Sequence, residues 1–465
     1  MNAAERLATF VRNLVFDSIP DDVVQNIKFL LIDSLGNALA AYKHDFAEKI
    51  VSTGRRWGRG ESTIIGYGDK LAPPNAALVN SSLCHGLDYD DTYFRAIVHL
   101  SSVVVPAALA VAEKEQIDGK RLMAAMAAGY EIMTRVSRAT YVPRLSTTSL
   151  QDRGFMTIST CGSFGAAAAS AKLLDLGPGE IVNALGISGS FASGIGECLI
   201  NHETVQLLFP GWAAHTGISA AQLAAAGFTA PSTIFEGKYG FFESHVGAGN
   251  YNLDVLTEGL GDVWETMHTA FKPHPCCHLL TAPVDAALEI KQKNGIDLVD
   301  IKAVEVGVEQ YAMRFVGTGA KLPPENVYSA KFNLPWTVAA ALVRGKVSPS
   351  LYAQDKLGDP MILSLAGKVS CFEDQELTAY VKKVGKQTAP AVVRITTKQG
   401  RTYEHRDNAT RGMPENPMTK DQMVAKFEDN AANCLDRKQI KGIIGIVDRL
   451  EAVQSIREVM DLCKA

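Results

Sequence analysis

The chain has 465 residues, of which 47% are hydrophobic and 21% charged, with a formal net charge of −4. That length exceeds what one compact core serves, so two domains are expected. The slightly acidic balance excludes a general nucleic-acid binder, which carries a basic stripe. No run approaches the roughly 20 apolar residues of a membrane span. Residues 1–10 carry Glu5 and Arg6 and no apolar signal-peptide stretch, so a cytoplasmic protein is expected. The eight cysteines contain no CxxC pair and read as reduced thiols. Cys276 and Cys277, flanked by His274 and His278, raise the question of zinc. Neighbouring side chains rarely converge on one ion, and no second ligand pair follows at a zinc-site spacing, so no metal is expected.

The first half reads as helices. Residues 21–42 place Val23, Val24, Ile27, Leu30, Leu31, Leu35 and Leu39 on one stripe, with Pro20 and Asp21 at the start. Residues 106–114, 119–138, 163–174, 178–191 and 213–226 read the same way, and alanine, the best helix former, dominates them. The character changes near Phe271. Residues 301–308 (IKAVEVGV) alternate with period two and predict a strand; residues 380–384 (YVKKV) are a weaker strand candidate. Residues 391–397 (AVVRITT), then Gln399-Gly400 and residues 401–404, predict a hairpin. Helices at 281–291 and 335–343 lie between these strands, so the segment reads as α+β. After the Pro-rich turn at 412–418, residues 419–435 and 436–462 return to helix. The expected fold is therefore mainly α: a helical domain from residues 1–270 and 404–465, with a smaller α+β domain at 271–403 inserted.

Three segments carry chemistry. Residues 84–102 (CHGLDYDDTYFRAIVHLSS) pack His85, Asp88, Asp90, Asp91, Thr92 and His99 directly before the apolar run Val103-Val104-Val105. Polar groups abutting a buried segment need partners; the bland reading is a solvated, capping helix end. Residues 209–217 (FPGWAAHTG) open an Ala-rich helix, where Trp212 is expected to anchor the turn and His215 to pack structurally. Residues 270–287 (AFKPHPCCHLLTAPVDAA) set Lys272 beside two prolines at the expected domain boundary, and clefts between domains are favoured ligand sites. The alternative for Lys272 is an ordinary surface lysine.

In this order these segments resemble the MmgE/PrpD family, which includes 2-methylcitrate dehydratase, cis-aconitate decarboxylase and iminodisuccinate epimerase. The family pattern is similar to residues 85–92 (HGLDYDDT) with His99, residues 154–176, residues 206–214, residues 227–242, residues 272–277 and residues 412–427. The resemblance runs from about Leu14 to Val453. It implies that the inserted domain is a lid, that the protein is a homodimer, and that no metal or organic cofactor is used. It also implies that Asp88, Thr92, His99, Lys272 and Tyr311 match residues around the active site of cis-aconitate decarboxylase and its relatives.

Elsewhere the chain departs from the family. Met156 stands where the family's turn carries histidine. Gln206-Leu207 replaces Lys-Arg, Phe209 replaces histidine, Cys277 stands where the decarboxylase has histidine, and Thr281 replaces another. Buried carboxylates need cations or aimed N–H groups, and each charge-assisted hydrogen bond is worth about 1.5–3 kcal/mol. The expected substrate is a small carboxylic acid less anionic than methylcitrate, with Arg95, Arg153, His202 and His274 as candidates for compensation. The family's chemistry is proton transfer at a carbon beside a carboxylate, which needs an acid–base group and a cation for the developing charge. Lys272 is expected as base or enolate-stabilising cation, His99 as general acid or its partner, and an aspartate such as Asp88 as the carboxylate that orients it. Thr92, Gln206 and Tyr311 would bind substrate oxygens, with Met156 and Cys277 lining the substrate's surroundings. A hydro-lyase ranks first, then an isomerase or epimerase, then a decarboxylase; a non-catalytic descendant is the competing class.

Overall fold

A computed structural model of the chain describes residues 1–142, 148–201, 203–384 and 388–465. These form two compact units: one of Met1–Gly86, Asp90–Thr269 and Thr419–Ala465, the other of Leu87–Tyr89 and Ala270–Met418. The chain is mainly helical with few strands.

The first unit is built around alanine-rich helices. Gly162–Leu173 (GSFGAAAASAKL) is buried at every position except Lys172, the pattern of a helix enclosed on all sides. It packs against Gly119–Ala139, Ser101–Lys114 and Phe209–Ala225. Small side chains allow this close approach. A Cβ at Gly217 would lie 2.4 Å from the Ala166 Cβ and 2.5 Å from the Ala167 nitrogen, so the backbones can meet there only without a side chain. Pro106 does not begin its helix, as the sequence suggested, but lies inside Ser101–Lys114. The helix starts earlier because the Asp91 carboxylate accepts the Ser101 N–H at 2.9 Å and the Leu100 N–H at 3.4 Å, satisfying donors that a first turn leaves open.

The two chain ends meet within this unit. Asp33 on the helix Asp21–Ala40 pairs with Lys426 on Lys420–Ala431 at 2.6 Å, and both side chains are buried. Burial raises the Asp33 carboxyl above its usual range despite the attraction of Lys426. Trp212 does not anchor its turn as expected; it is half-exposed, its indole N–H donating to Ser193 Oγ at 3.0 Å and its ring stacked on His215.

The second unit is α+β. Its sheet runs in the spatial order Val369–Glu373, Ile301–Val308, Ala391–Thr397, Thr402–Asp407, the first pair parallel and the others antiparallel. Ile301, Val304, Val306 and Val308 are buried while Lys302 and Glu305 face outward, the alternation of a half-covered strand. The helix Thr281–Asn294 packs on Ala391–Thr397 and on Leu334–Arg344, closing a core around Trp336. Residues 380–384, the weaker strand candidate, are instead the last turn and more of the helix Gln375–Val384. Leu377 and Val381 are buried four residues apart, a helical spacing.

Candidate active site

In the second unit, Lys272 is fully buried. Its Nζ donates to Asp88 Oδ1 at 2.7 Å and to the Asp88 carbonyl at 2.9 Å. Asp88 makes both contacts from a left-handed backbone, φ 52°, a region that asparagine and aspartate tolerate better than most residues. Its other carboxylate oxygen, Oδ2, is buried and has no hydrogen-bond partner among the described residues. The segment carrying Lys272 is pinned on both sides. Phe271 N–H donates to the Gly412 carbonyl at 2.9 Å, and a Cβ on Gly412 would sit 1.9 Å from the Phe271 oxygen, so only glycine lets the two strands of chain touch. The Tyr89 hydroxyl donates to the Pro273 carbonyl at 3.1 Å. His274 and Arg411 both bind Asp285, at 2.8 Å each. Burial alone would raise the Asp285 carboxyl, but these two partners outweigh it and hold the pKa at about 2.

Cys277 and Tyr311 belong to the same unit, and Cys277 lies within electrostatic reach of this pair. Burial pushes the Cys277 thiol up to about 12, the negative charge of Asp88 adds to the rise, and Lys272 opposes it. The Tyr311 hydroxyl is raised by burial and then by Cys277. The Tyr311 ring stacks on Phe315. Thr281 starts the helix Thr281–Asn294 and is fully buried; its hydroxyl has no hydrogen-bond partner among the described residues.

In the first unit, His99 Nδ1 lies 2.7 Å from the Asp91 carbonyl, 3.5 Å from Thr92 Oγ1 and 3.7 Å from Asp90 Oδ1. A carbonyl can only accept, so Nδ1 carries the proton and Nε2 is the acid–base nitrogen. The carboxylate beside His99 is thus Asp90, and not Asp88 as the sequence suggested. The left-handed turn at Asp88 spends that side chain on Lys272. Asp90 also receives His85 Nδ1 at 2.9 Å, and the His85 and His99 rings lie 5.2 Å apart. Burial, then the neighbouring Asp90, raises the Asp91 carboxyl to about 7 against the N–H bond from Ser101.

The other expected residues are spread more widely. Met156 is buried, with its N–H donating to the Gly194 carbonyl at 3.0 Å, next to the turn at Gly196. Gln206 is buried in the short turn Thr204–Leu208, and its Oε1 has no hydrogen-bond partner among the described residues. Of the compensating candidates, Arg95 is paired with Glu265 at 3.2 Å, Arg153 is exposed, His274 is held by Asp285, and His202 lies outside the described residues. A cavity of ≈ 650 Å³ in the first unit is lined by Arg12, Lys120, Arg121 and Lys172, but Arg12 and Lys120 are paired with Asp175 and Asp17. Among the described residues, no cluster of three His, Cys, Asp or Glu side chains is placed to hold a metal.

The MmgE/PrpD N-terminal domain model matches residues 5–254, and the MmgE/PrpD C-terminal domain model matches residues 274–452. The chain is similar to cis-aconitate decarboxylase of Aspergillus terreus, 27% identical over 97% of this chain and 93% of the relative. It is similar to cis-aconitate decarboxylase of Mus musculus, 24% identical over 100% of this chain and 93% of the relative. A probable 2-methylcitrate dehydratase of Saccharomyces cerevisiae is 24% identical over 76% of this chain and 70% of the relative. With both domain models covering nearly all of its length, the chain belongs to the MmgE/PrpD family.

Proposed function

We propose that this chain is a cofactor-independent lyase of hydro-lyase type, moving a proton at a carbon beside a carboxylate of a small organic acid less anionic than methylcitrate. The reading rests above all on Asp88. A fully buried lysine is bonded to one carboxylate oxygen while the other, Oδ2, has no partner. Buried polar atoms in native proteins are satisfied with few exceptions, so that oxygen awaits a donor such as a substrate hydroxyl. Lys272 supplies the cation that takes up negative charge developing on the substrate carboxylate. His99, with its proton on Nδ1, removes the carbon-bound proton at Nε2. The C–O bond on the neighbouring carbon then breaks, the leaving hydroxyl takes from His99 Nε2 the proton just removed and departs as water, and a double bond forms between the two carbons.

Thr92, Gln206 and Tyr311 bind substrate oxygens in this scheme, Met156 and Cys277 face the substrate, and the inserted α+β unit acts as a lid. Decarboxylation is the second reading, because the relatives named above that match almost end to end are cis-aconitate decarboxylases. It uses the same cation and returns a proton to carbon after CO₂ leaves.

We further propose cytoplasmic homodimers. Phe191, Ile195, Ile200, Val205 and Leu208 are exposed close together in sequence, and apolar surface of this kind is commonly covered by a second copy. Sedimentation at micromolar concentration showing only monomer removes that element. Catalysis is tested by incubating wild type with a panel of small carboxylic acids in heavy water and following alpha-proton loss by NMR. Exchange is expected for at least one acid and should vanish in Lys272→Ala. Exchange surviving intact in both Lys272→Ala and His99→Ala shows the assigned roles to be wrong.

A further inference from the structure

In the first unit, His99 lies at the base of a small hairpin. Tyr93 N–H donates to the Val98 carbonyl at 2.7 Å, and Val98 N–H returns a bond to the Tyr93 carbonyl at 3.2 Å. Thr92 and His99 are the next residues outward, with Thr92 Oγ1 at 3.5 Å from the ring. The hairpin is strained. Ile97 takes a left-handed backbone, φ 51°, which a β-branched residue adopts only when its surroundings enforce it. The hairpin is held from outside by Glu265, which is 1% exposed. Glu265 Oε2 accepts the Tyr93 hydroxyl at 2.5 Å and Arg95 Nη1 at 3.2 Å, while Oε1 accepts Arg138 Nη1 at 2.6 Å. Arg138 lies on the helix Gly119–Ala139. The turn after Glu265 is itself tied down: Thr266 N–H donates to Glu131 Oε1 of that helix at 3.0 Å, and Asn26 Nδ2 donates to the Thr266 carbonyl at 3.0 Å. Burial would raise the Glu265 carboxyl, but Tyr93, Arg138 and Arg95 outweigh it and hold it below the usual range. The Tyr93 phenol is pushed up by burial and then by Glu265, so it stays a neutral donor.

We infer that Glu265 is a positioning residue for His99: by gripping Tyr93 and Arg95 it fixes the hairpin so that the ring keeps its proton on Nδ1, bonded to the Asp91 carbonyl. This rests on the reading of His99 given above and adds the device that selects its tautomer. Nδ1 lies 2.7 Å from that carbonyl, and an acceptor on one ring nitrogen leaves the other to take a substrate proton. The bond requires Asp91 and His99 to stay opposite each other across the hairpin. A lone two-stranded hairpin is marginal in water, and the strain at Ile97 weakens this one further. The spacing therefore depends on what grips the hairpin. An ionised carboxylate suits three converging donors because both its oxygens only accept. A glutamine in its place would turn one acceptor into a donor, aimed at an arginine or at the Tyr93 hydroxyl.

The test reads the tautomer directly, by proton–nitrogen NMR of protein carrying isotope-labelled histidine, at about pH 8, above the usual histidine range. The His99 signal is assigned by its loss in His99→Gln. Wild type is expected to show His99 mainly in the Nδ1–H form. Tyr93→Phe removes one hydroxyl and keeps the buried ring. It should lower the ratio of the Nδ1–H to the Nε2–H form by about three- to tenfold, up to the worth of one hydrogen bond. Glu265→Gln should lower the ratio at least as far, and Glu265→Asp, which keeps the charge, should lower it less than Glu265→Gln. Gly217→Ala, which crowds the helices Gly162–Leu173 and Phe209–Ala225, should leave the ratio at the wild-type value. An unchanged ratio in Glu265→Gln overturns the assignment even where the unfolding midpoint drops, since a merely structural carboxylate gives that result. Should the glutamine variant not fold, Tyr93→Phe is read by the same criterion. An equal shift in Gly217→Ala also overturns it, because the ratio would then follow stability alone. These outcomes sink this inference and leave the parent reading standing. His99 found in the Nε2–H form in wild type sinks both.

Discussion

The Lys272–Asp88 pair gives the sharpest prediction, because the same contact supports folding and chemistry. Lys272→Met keeps the aliphatic stem and removes the ammonium, leaving a buried carboxylate without its cation. Asp88→Asn keeps a residue that tolerates φ 52° and leaves the buried ammonium without its anion. Breaking a buried pair from one side costs about 3–5 kcal/mol. For a unit of this size that is about 6–20 °C in melting temperature. The double variant buries no uncompensated charge, so its loss should fall short of the summed single losses by at least about 2 kcal/mol. Urea unfolding followed by circular dichroism measures all four proteins. Alpha-proton exchange on the same samples should stay abolished in the double variant, so stability recovers while chemistry does not. Strictly additive losses, or single losses under about 1 kcal/mol, would refute the buried pair as described.

The remaining expectations are narrower. His99→Gln should cut exchange by about 10²–10⁴-fold, the usual contribution of a general acid–base group, with little change in unfolding midpoint; an unchanged rate removes His99 from the mechanism. Folded Asp91 titrates at about 7 against 3.8 for the free side chain. The folded state thus holds a proton that the unfolded state has released, and this contribution is complete below about pH 3.8 and is lost as pH rises through about 7. Wild type should therefore lose stability relative to Asp91→Asn between pH 5 and 7.5 in urea titrations, and a constant difference contradicts the burial of Asp91. Gly217→Ala drives a methyl to 2.4 Å from Ala166 and should cost at least about 1–3 kcal/mol of stability, read as a lower melting temperature; a neutral result means the two helices can part.

Much of the secondary structure is legible in the sequence because it is carried by local periodicity. The strands Ile301–Val308 and Ala391–Thr397 and the helix Pro178–Phe191 occupy the residues their patterns mark. Where the pattern failed, the cause is identifiable. Residues 380–384 alternate over a window too short to separate a strand from a helix, and the burial of Leu377 decides it. The strand Val369–Glu373 lies at the sheet edge with every side chain at least partly exposed, so it leaves no alternation to read. Ser101–Lys114 begins before Pro106 because a carboxylate ten residues upstream of Ser101 caps it, a contact no helix-start rule anticipates.

Site residues are legible as types and not as pairs. Lys272 stands out between chain-stiffening prolines, and the Asp/His density of residues 84–102 is unmistakable, yet nothing local says which carboxylate serves which cation. That choice is made by backbone conformation. A single left-handed residue at Asp88 turns its carboxylate to a lysine 184 positions away, while Asp90, in the next turn of chain, goes to the two histidines.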